Sequence, residues 1–238
     1  MTHPIESICF DLDDTLFPYR RYARAGLEAA ADRLEDRTGR RHHEELREIH
    51  FADDVTEGSF DVLVERHDLP AELVDELVEA YHGADGELTS YPETDRVLSR
   101  LGEEYRLGLV TDGRGGEAKL RRLGLTDHFE TVLVTPTVGR TKRDPAVFER
   151  VLSELSVSPE SAAYVGDDPR VDFRVPNELG MCTVRLRRGR YVDLEPTDGV
   201  DVPDHEIRDL TELPGIVSAT STAGTVPHRT NMGGTDGG

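Results

Sequence analysis

The stretch Ile8-Cys9-Phe10-Asp11-Leu12-Asp13-Asp14-Thr15-Leu16 decides the fold. An apolar, strand-like run ends in two carboxylates one residue apart, followed by a threonine. In an extended segment alternate side chains face the same way, so Asp11 and Asp13 can address one site. A parallel α/β sheet takes its ligands at the carboxyl ends of its strands. Acids placed there suit a Mg2+ ion, with one carboxylate left as nucleophile and the other as proton donor.

Four further apolar runs read as strands: Leu107 to Thr111, Thr131 to Thr135, Ala162 to Val165 and Cys182 to Leu186. With Ile5 to Phe10 they make five, several of them continuously apolar, as parallel strands covered on both faces require. Helical patterns alternate with the later ones. Gly115 to Leu123 stops at Gly124; Asp144-Pro145 reads as a cap and first helical residue, followed by Val147, Phe148, Val151, Leu152 and Leu155 on one face. Ser158-Pro159 starts a short turn, and Pro176 lies in the first turn of a helix ending at Gly180. The pattern predicts an α/β fold with a doubly wound parallel sheet. Residues 18–90 break it, with four helical segments and no strand: Tyr19 to Thr38, His42 to Ala52, Ser59 to His67 and Ala71 to Tyr81. They are expected to form an all-helical insertion beside the carboxyl edge, where it can cover a site. The core would then be residues 1–17 and 91–215, and the Ser/Thr/Gly-rich residues 216–238 a disordered tail.

The chain has 238 residues, is 36% hydrophobic and carries a formal charge of −20. No apolar run reaches the ~18 residues of a membrane span, and the N-terminus shows no signal-peptide pattern, so a cytoplasmic protein is expected. The charge argues against nucleic acid or an anionic membrane as partner. Cys9 and Cys182 read as buried free thiols. Of 28 basic residues only Lys119 and Lys142 are lysines. An acidic, lysine-poor surface suggests a halophilic protein, and arginine-biased codons would leave the same signature.

Chemistry-bearing residues recur at strand ends: Asp11-Leu12-Asp13-Asp14-Thr15, then Val110-Thr111-Asp112-Gly113, then Lys142 ahead of Arg143-Asp144-Pro145, then Val165-Gly166-Asp167-Asp168 with Asp172 beyond. In this order they resemble the four motifs of the haloacid dehalogenase-like (HAD) hydrolase superfamily, over Ile5 to Gly215, and the helical insertion resembles that family's type 1 cap. The resemblance implies roles. Asp11 would attack phosphorus, and Asp13 would protonate the leaving alcohol and then deprotonate water, which asks surroundings that favour its acid form. Thr111, Asp112, Gly113 and Lys142 would form the phosphate-binding set. Asparagine is common at the Asp112 position, and the carboxylate here removes an amide donor, so its side chain is given no phosphate contact of its own. Asp11, the Asp13 main-chain carbonyl and Asp167 would hold Mg2+. Asp172 would act from behind, through water or Lys142, and Asp168 would assist the metal or cap the following helix. Asp14 is given a structural role.

Gly113, Gly115 and Gly116 allow an anion close to the backbone. Lys119 reads as a solvated helix lysine, Arg140 and Arg143 as surface residues or supports behind the site, and His42, His43 and His50 as exposed helix histidines whose spacing fits no tight ligand set. The expected function is a Mg2+-dependent phosphatase of a small phosphorylated metabolite, similar to phosphoglycolate or nucleotide monophosphate phosphatases, working through an aspartyl-phosphate. A 2-haloacid dehalogenase, a phosphomutase and a non-catalytic phosphometabolite-binding module are the alternatives. Whether the chain is a monomer or a homodimer is left open.

Overall fold

The structure, a computed structural model, describes residues 3–52, 58–84 and 86–222. Its strands are β1 (Ser7–Phe10), β2 (Arg106–Thr111), β3 (Thr131–Val134), β4 (Ala162–Gly166), β5 (Cys182–Leu186) and β6 (His205–Ile207). All pair in parallel in one sheet of order β3-β2-β1-β4-β5-β6. The chain therefore leaves β1 in one direction and returns on its other side, which opens a crevice at the carboxyl ends of β1 and β4.

The two faces of the sheet are filled by alternate residues. Ile8 and Phe10 join Leu107, Leu109, Ala163 and Val165 in one buried cluster; Cys9, Val110 and Tyr164 join the other. Helix α7 (Pro145–Leu155) covers the second face with the five residues read from the sequence, and the Asp144 carboxylate caps it, accepting from the Ala146 N–H at 3.0 Å. Each such apolar side chain contributes ~1.5–3 kcal/mol. Together they exceed the several kcal/mol that burying one ion costs, so this helix can hold a buried lysine in the loop before it. Cys9 and Cys182 are free thiols; Cys9 is fully enclosed, and burial pushes its thiol up to about 12, whereas Cys182, expected to be buried, is only partly so.

Among the described residues the insertion forms four helices: α1 (Tyr19–Thr38), α2 (His43–His50), α3 (Ser59–Arg66) and α4 (Leu73–Gly83). Helix α1 ends at Gly39, where φ is 73° and the N–H returns to the Glu35 carbonyl. Its buried stripe, Tyr22, Gly26, Leu27, Ala30 and Leu34, repeats at helical spacing. It packs on Leu77 and Tyr81 of α4, and a β-carbon at Gly26 would meet the Tyr81 ring at 2.5 Å.

Elsewhere lie α5 (Thr94–Gly102), α6 (Gly116–Leu123), α8 (Arg174–Leu179) and α9 (Leu213–Thr222). Helix α9 corrects the expected tail boundary. Residues 216–222 are helical, because Leu213 and Val217, one turn apart, are both fully buried. A capping box at Asp209 and Glu212 starts this segment. Residues 223–238, also assigned to the tail, lie outside the described residues. Strand β6 and helix α5 were not anticipated: two of the three β6 residues, His205 and Glu206, are polar, as a sheet edge tolerates. Among the described residues no helix is long and apolar enough to cross a membrane.

Candidate active site

A cavity of about 110 Å³ at the carboxyl edge is bordered by all nine site residues read from the sequence: Asp11, Asp13, Thr111, Asp112, Gly113, Lys142, Asp167, Asp168 and Asp172. A larger groove of about 860 Å³, around Asn177, Met181 and Val202, contains none of them. Chemistry rather than size locates the site.

Asp11 leaves the end of β1 with its N–H bound to the Val165 carbonyl of β4, which fixes the two strand ends together. Its Oδ1 accepts from Lys142 Nζ and its Oδ2 from the Thr15 hydroxyl at 3.2 Å. Lys142 Nζ also donates to Asp172 Oδ1 at 2.8 Å, and only 3% of the lysine is exposed. Burial works against the ammonium, yet Asp11 and Asp172 hold it well above the ordinary lysine value. Lys142 is therefore a permanent cation between two acids.

Asp112 has a different task from the phosphate contact its motif suggests. Its Oδ1 accepts from the Lys142 N–H at 2.9 Å and from the Thr135 hydroxyl at 2.5 Å. The carboxylate thus pins the loop that delivers Lys142. Asp172 is a second pin. Its Oδ2 accepts the Asp167 and Asp168 N–H groups at 3.0 and 2.8 Å, and its Oδ1 accepts from Tyr164 as well as Lys142. Gly166 permits this approach, since a β-carbon there would lie 2.4 Å from Asp172 Oδ2. Asp168 is engaged by the Arg170 N–H and guanidinium at 2.9–3.0 Å, so it closes its own turn. Asp14, at φ 61°, accepts from the Tyr19 N–H at the start of α1 and from Arg190 Nε at 2.7 Å, a structural role as read.

The acids fit a hard divalent cation. Asp167 Oδ2 is buried and has no hydrogen-bond partner among the described residues. Carboxylate oxygens of Asp11, Asp167 and Asp172 lie within 4.8 Å of one another. Burial pushes the Asp11 carboxyl up to about 7, and burial with the nearby Asp11 and Asp172 charges puts Asp167 well above the usual carboxylate range. A divalent cation held there would offset both effects by supplying positive charge. Both Asp172 oxygens take two donors each, whereas Asp167 Oδ2 is open among the described residues and Asp11 Oδ2 accepts one hydroxyl at 3.2 Å, so Asp11 and Asp167 are the side chains that would hold it. The Asp13 main-chain carbonyl stands in the adjoining turn, which the Asp14 N–H closes onto the Phe17 carbonyl at 2.9 Å.

Two expectations fail. Lys119 is not solvated: it is 3% exposed, and its Nζ donates to Asp13 Oδ1 and Oδ2 at 2.7 and 2.9 Å. Asp13 is thus paired through both oxygens with a buried ammonium. The signal that singled out Lys142, a lysine in an arginine-rich chain, applied equally to Lys119. The histidines are also not exposed. His50 lies against Tyr19 and Tyr81, bonded to the Tyr19 hydroxyl at 3.0 Å and the Ser59 hydroxyl at 2.9 Å, and burial lowers its imidazole to about 4. His43 meets Glu28 at 2.7 Å. His42 and His67 both meet Glu45 Oε2, at 3.2 and 2.7 Å, so these groups do converge; His67 lies too far along the chain for spacing to reveal it. Arg66 occupies the other Glu45 oxygen at 3.0 Å, and the cluster clamps α2 to α3.

Arg190 carries no motif among 26 arginines and was not singled out. It and Tyr191 border both the inner cavity and a second chamber of about 200 Å³ shared with Arg20, His50 and Phe51 of the insertion.

Known proteins resemble this chain. The glyceraldehyde 3-phosphate phosphatase of Methanopyrus kandleri is 37% identical, over 90% of this chain and 97% of its own. The ribulose-1,5-bisphosphate 5-phosphatase of Halopiger xanaduensis is 30% identical, over 89% and 99%. The crystal structure of a HAD phosphatase from Thermococcus onnurineus, 28% identical, superposes with a TM-score of 0.66 over 90% of this chain and 98% of its own. Residues 8–185 match the family model described as haloacid dehalogenase-like hydrolase, and with the four motifs gathered on one cavity the chain belongs to that family.

Proposed function

We propose that this protein is a Mg2+-dependent phosphomonoester hydrolase of a small phosphorylated metabolite, acting through a phosphoryl group carried on Asp11. One observation carries the reading: a buried carboxylate at the end of β1, gripped by Lys142 on one oxygen and Thr15 on the other, faces the cavity shared with Thr111 and Asp167. A carboxylate needs no deprotonation to attack, and its weakness as a nucleophile is offset when it is held in line. The names of the relatives support a small phosphometabolite as substrate.

In the proposed cycle an Asp11 oxygen attacks phosphorus while Lys142 and the Thr111 hydroxyl hold phosphoryl oxygens. The ester bond breaks, and Asp13 delivers a proton to the departing alcohol. Water then attacks the phosphorus, Asp13 takes its proton, and Asp11 is freed with release of phosphate. Mg2+, held by Asp11 and Asp167, would neutralise charge on the transferring group. The presence of Asp13 argues against dehalogenation, which displaces halide and needs no such acid.

The helical insertion would act as the cap. Its Arg20, His50 and Phe51 form one wall of the outer chamber, with Arg190 and Tyr191 between that space and the phosphoryl site. A polar chamber of about 200 Å³ suits a small hydroxylated or anionic leaving group. Phosphate release is to be measured in high-salt buffer from phosphoglycolate, glyceraldehyde 3-phosphate, ribulose-1,5-bisphosphate and nucleoside monophosphates. Turnover that requires Mg2+, stops with EDTA and is lost in Asp11→Asn is expected. Absence of release from every ester would point to a binding module instead.

A further inference from the structure

The Lys119 ammonium is buried in a setting that solvation or simple packing does not require. Both Asp13 oxygens face it, and the ring centroids of Phe17, Tyr19 and Tyr22 lie 5.6, 5.2 and 4.9 Å from Nζ. Phe17 ends the turn after β1, whereas Tyr19 and Tyr22 belong to the first turn of α1 in the insertion. Gly113 makes room for the pair: a β-carbon there would lie 2.6 Å from Asp13 Oδ2 and 3.2 Å from Lys119 Nζ. The ion pair thus lies against the Gly113 backbone, and two of its three aromatic neighbours come from the covering helix.

We propose that Lys119 is a positioning residue that aims the Asp13 carboxyl at the leaving-group oxygen, in a seat completed by Tyr19 and Tyr22 of the insertion. This rests on the acid–base role given to Asp13 above and adds what keeps that group in register. A carboxyl on a two-bond side chain has other rotamers, and proton delivery demands one of them. A bidentate cation fixed by three rings and a helix restricts it to one. Because two of the rings belong to the insertion, the carboxyl would be aimed only when α1 lies over the core.

The test compares kcat/KM for an alkyl phosphate and for p-nitrophenyl phosphate in the wild type, Asp13→Asn, Lys119→Met and Lys119→Arg. This ratio reports steps up to the first irreversible one and so excludes hydrolysis of the phosphorylated carboxylate. An alkoxide needs a proton to leave, whereas p-nitrophenolate scarcely does. Asp13→Asn should lose about 10²–10⁴-fold more on the alkyl ester than on the aryl ester. Lys119→Met should follow the same asymmetry at about 10–100-fold, the part of that effect that depends on aim, with Lys119→Arg recovering some of it. A crystal structure of Lys119→Met should show the Asp13 side chain turned away from its present position. Equal losses on both esters in Lys119→Met, or an unmoved Asp13, overturn the proposal while Asp13→Asn still shows the asymmetry. An Asp13→Asn protein that treats both esters alike overturns the acid–base reading with it.

Discussion

The two lysines of this chain each pair with an acid that borders one cavity, and they are held in different ways. Lys142 sits among acids, against Asp11 and Asp172, with every partner drawn from the sheet and its loops. Lys119 sits among rings, against Asp13, with two of its three aromatic neighbours drawn from the insertion. The first arrangement is a fixed electrostatic framework. The second joins two parts of the molecule and is complete only when both are in place. A buried cation can thus be stabilised mainly by acids within one framework or by a seat that depends on assembly, and the two lysines should respond differently when their surroundings are cut back.

Replacing Lys142 should have the largest effect. Lys142→Met leaves Asp11 and Asp172 facing each other unscreened, and removes a charge aimed at the transferring phosphoryl group. Phosphate release should fall by about 10³-fold or more on alkyl and aryl esters alike, as for loss of a preorganised charge contact. A selective loss on alkyl esters would erase the distinction between the lysines.

The next effect concerns pH. In EDTA, burial raises Asp11 to about 7 and Asp167 well above the carboxylate range. For acids raised on folding, the stability they contribute is fully present below the unfolded value near 4 and is lost as pH rises through the folded value. The melting temperature of the metal-free protein should therefore fall by several degrees between about pH 4 and pH 7. Mg2+ should reverse the fall, and Asp11→Asn should flatten it. Thermal melts at fixed high salt measure this, and a metal-free melting temperature that rises steadily to pH 7 would contradict it.

Trimming the aromatic seat should be milder. Tyr22→Leu removes the ring nearest Lys119 Nζ, at 4.9 Å, and a hydroxyl bonded to His82 at 2.9 Å. A partly desolvated cation–π contact is worth ~1–2 kcal/mol, so alkyl-ester turnover should drop about 5–30-fold, with a smaller drop on p-nitrophenyl phosphate. The smallest catalytic effect belongs to Val217→Ala in α9, far along the chain from either lysine. It should cost ~1–2 kcal/mol of stability, seen as a lower melting temperature, and leave the preference between ester classes where it was.

How much of this was legible follows the same division. The residues at the strand ends could be read because a parallel sheet brings the ends of β1, β2 and β4 together whatever lies between them, and nine of them border one cavity. What Asp112 does with its carboxylate was not legible, because its partner, the Lys142 N–H, is 30 residues away. Lys119 was misread because a helix lysine with charged neighbours is usually solvated, and its burial depends on Tyr19 and Tyr22, aromatic residues whose spacing gave no sign that they faced a cation. His50 was misread for a related reason: its surroundings are side chains from α1, α3 and α4, meeting only in the folded insertion. Helix α9 was hidden by its small and hydroxylated residues, although Leu213 and Val217 at one-turn spacing anchor it and the Ser218 hydroxyl turns back to the Pro214 carbonyl at 2.7 Å.

The central claim is that Asp11 accepts the phosphoryl group, and it is most directly tested by trapping that group. Protein mixed with a substrate carrying a radiolabelled phosphoryl group and Mg2+, then quenched in acid within one turnover, should carry label on the peptide spanning residues 8–16. The bond should behave as an acyl phosphate, stable in acid and labile in base, and the label should be absent from Asp11→Asn. Phosphate release without labelled protein at any quench time, or label on another side chain, would contradict the account.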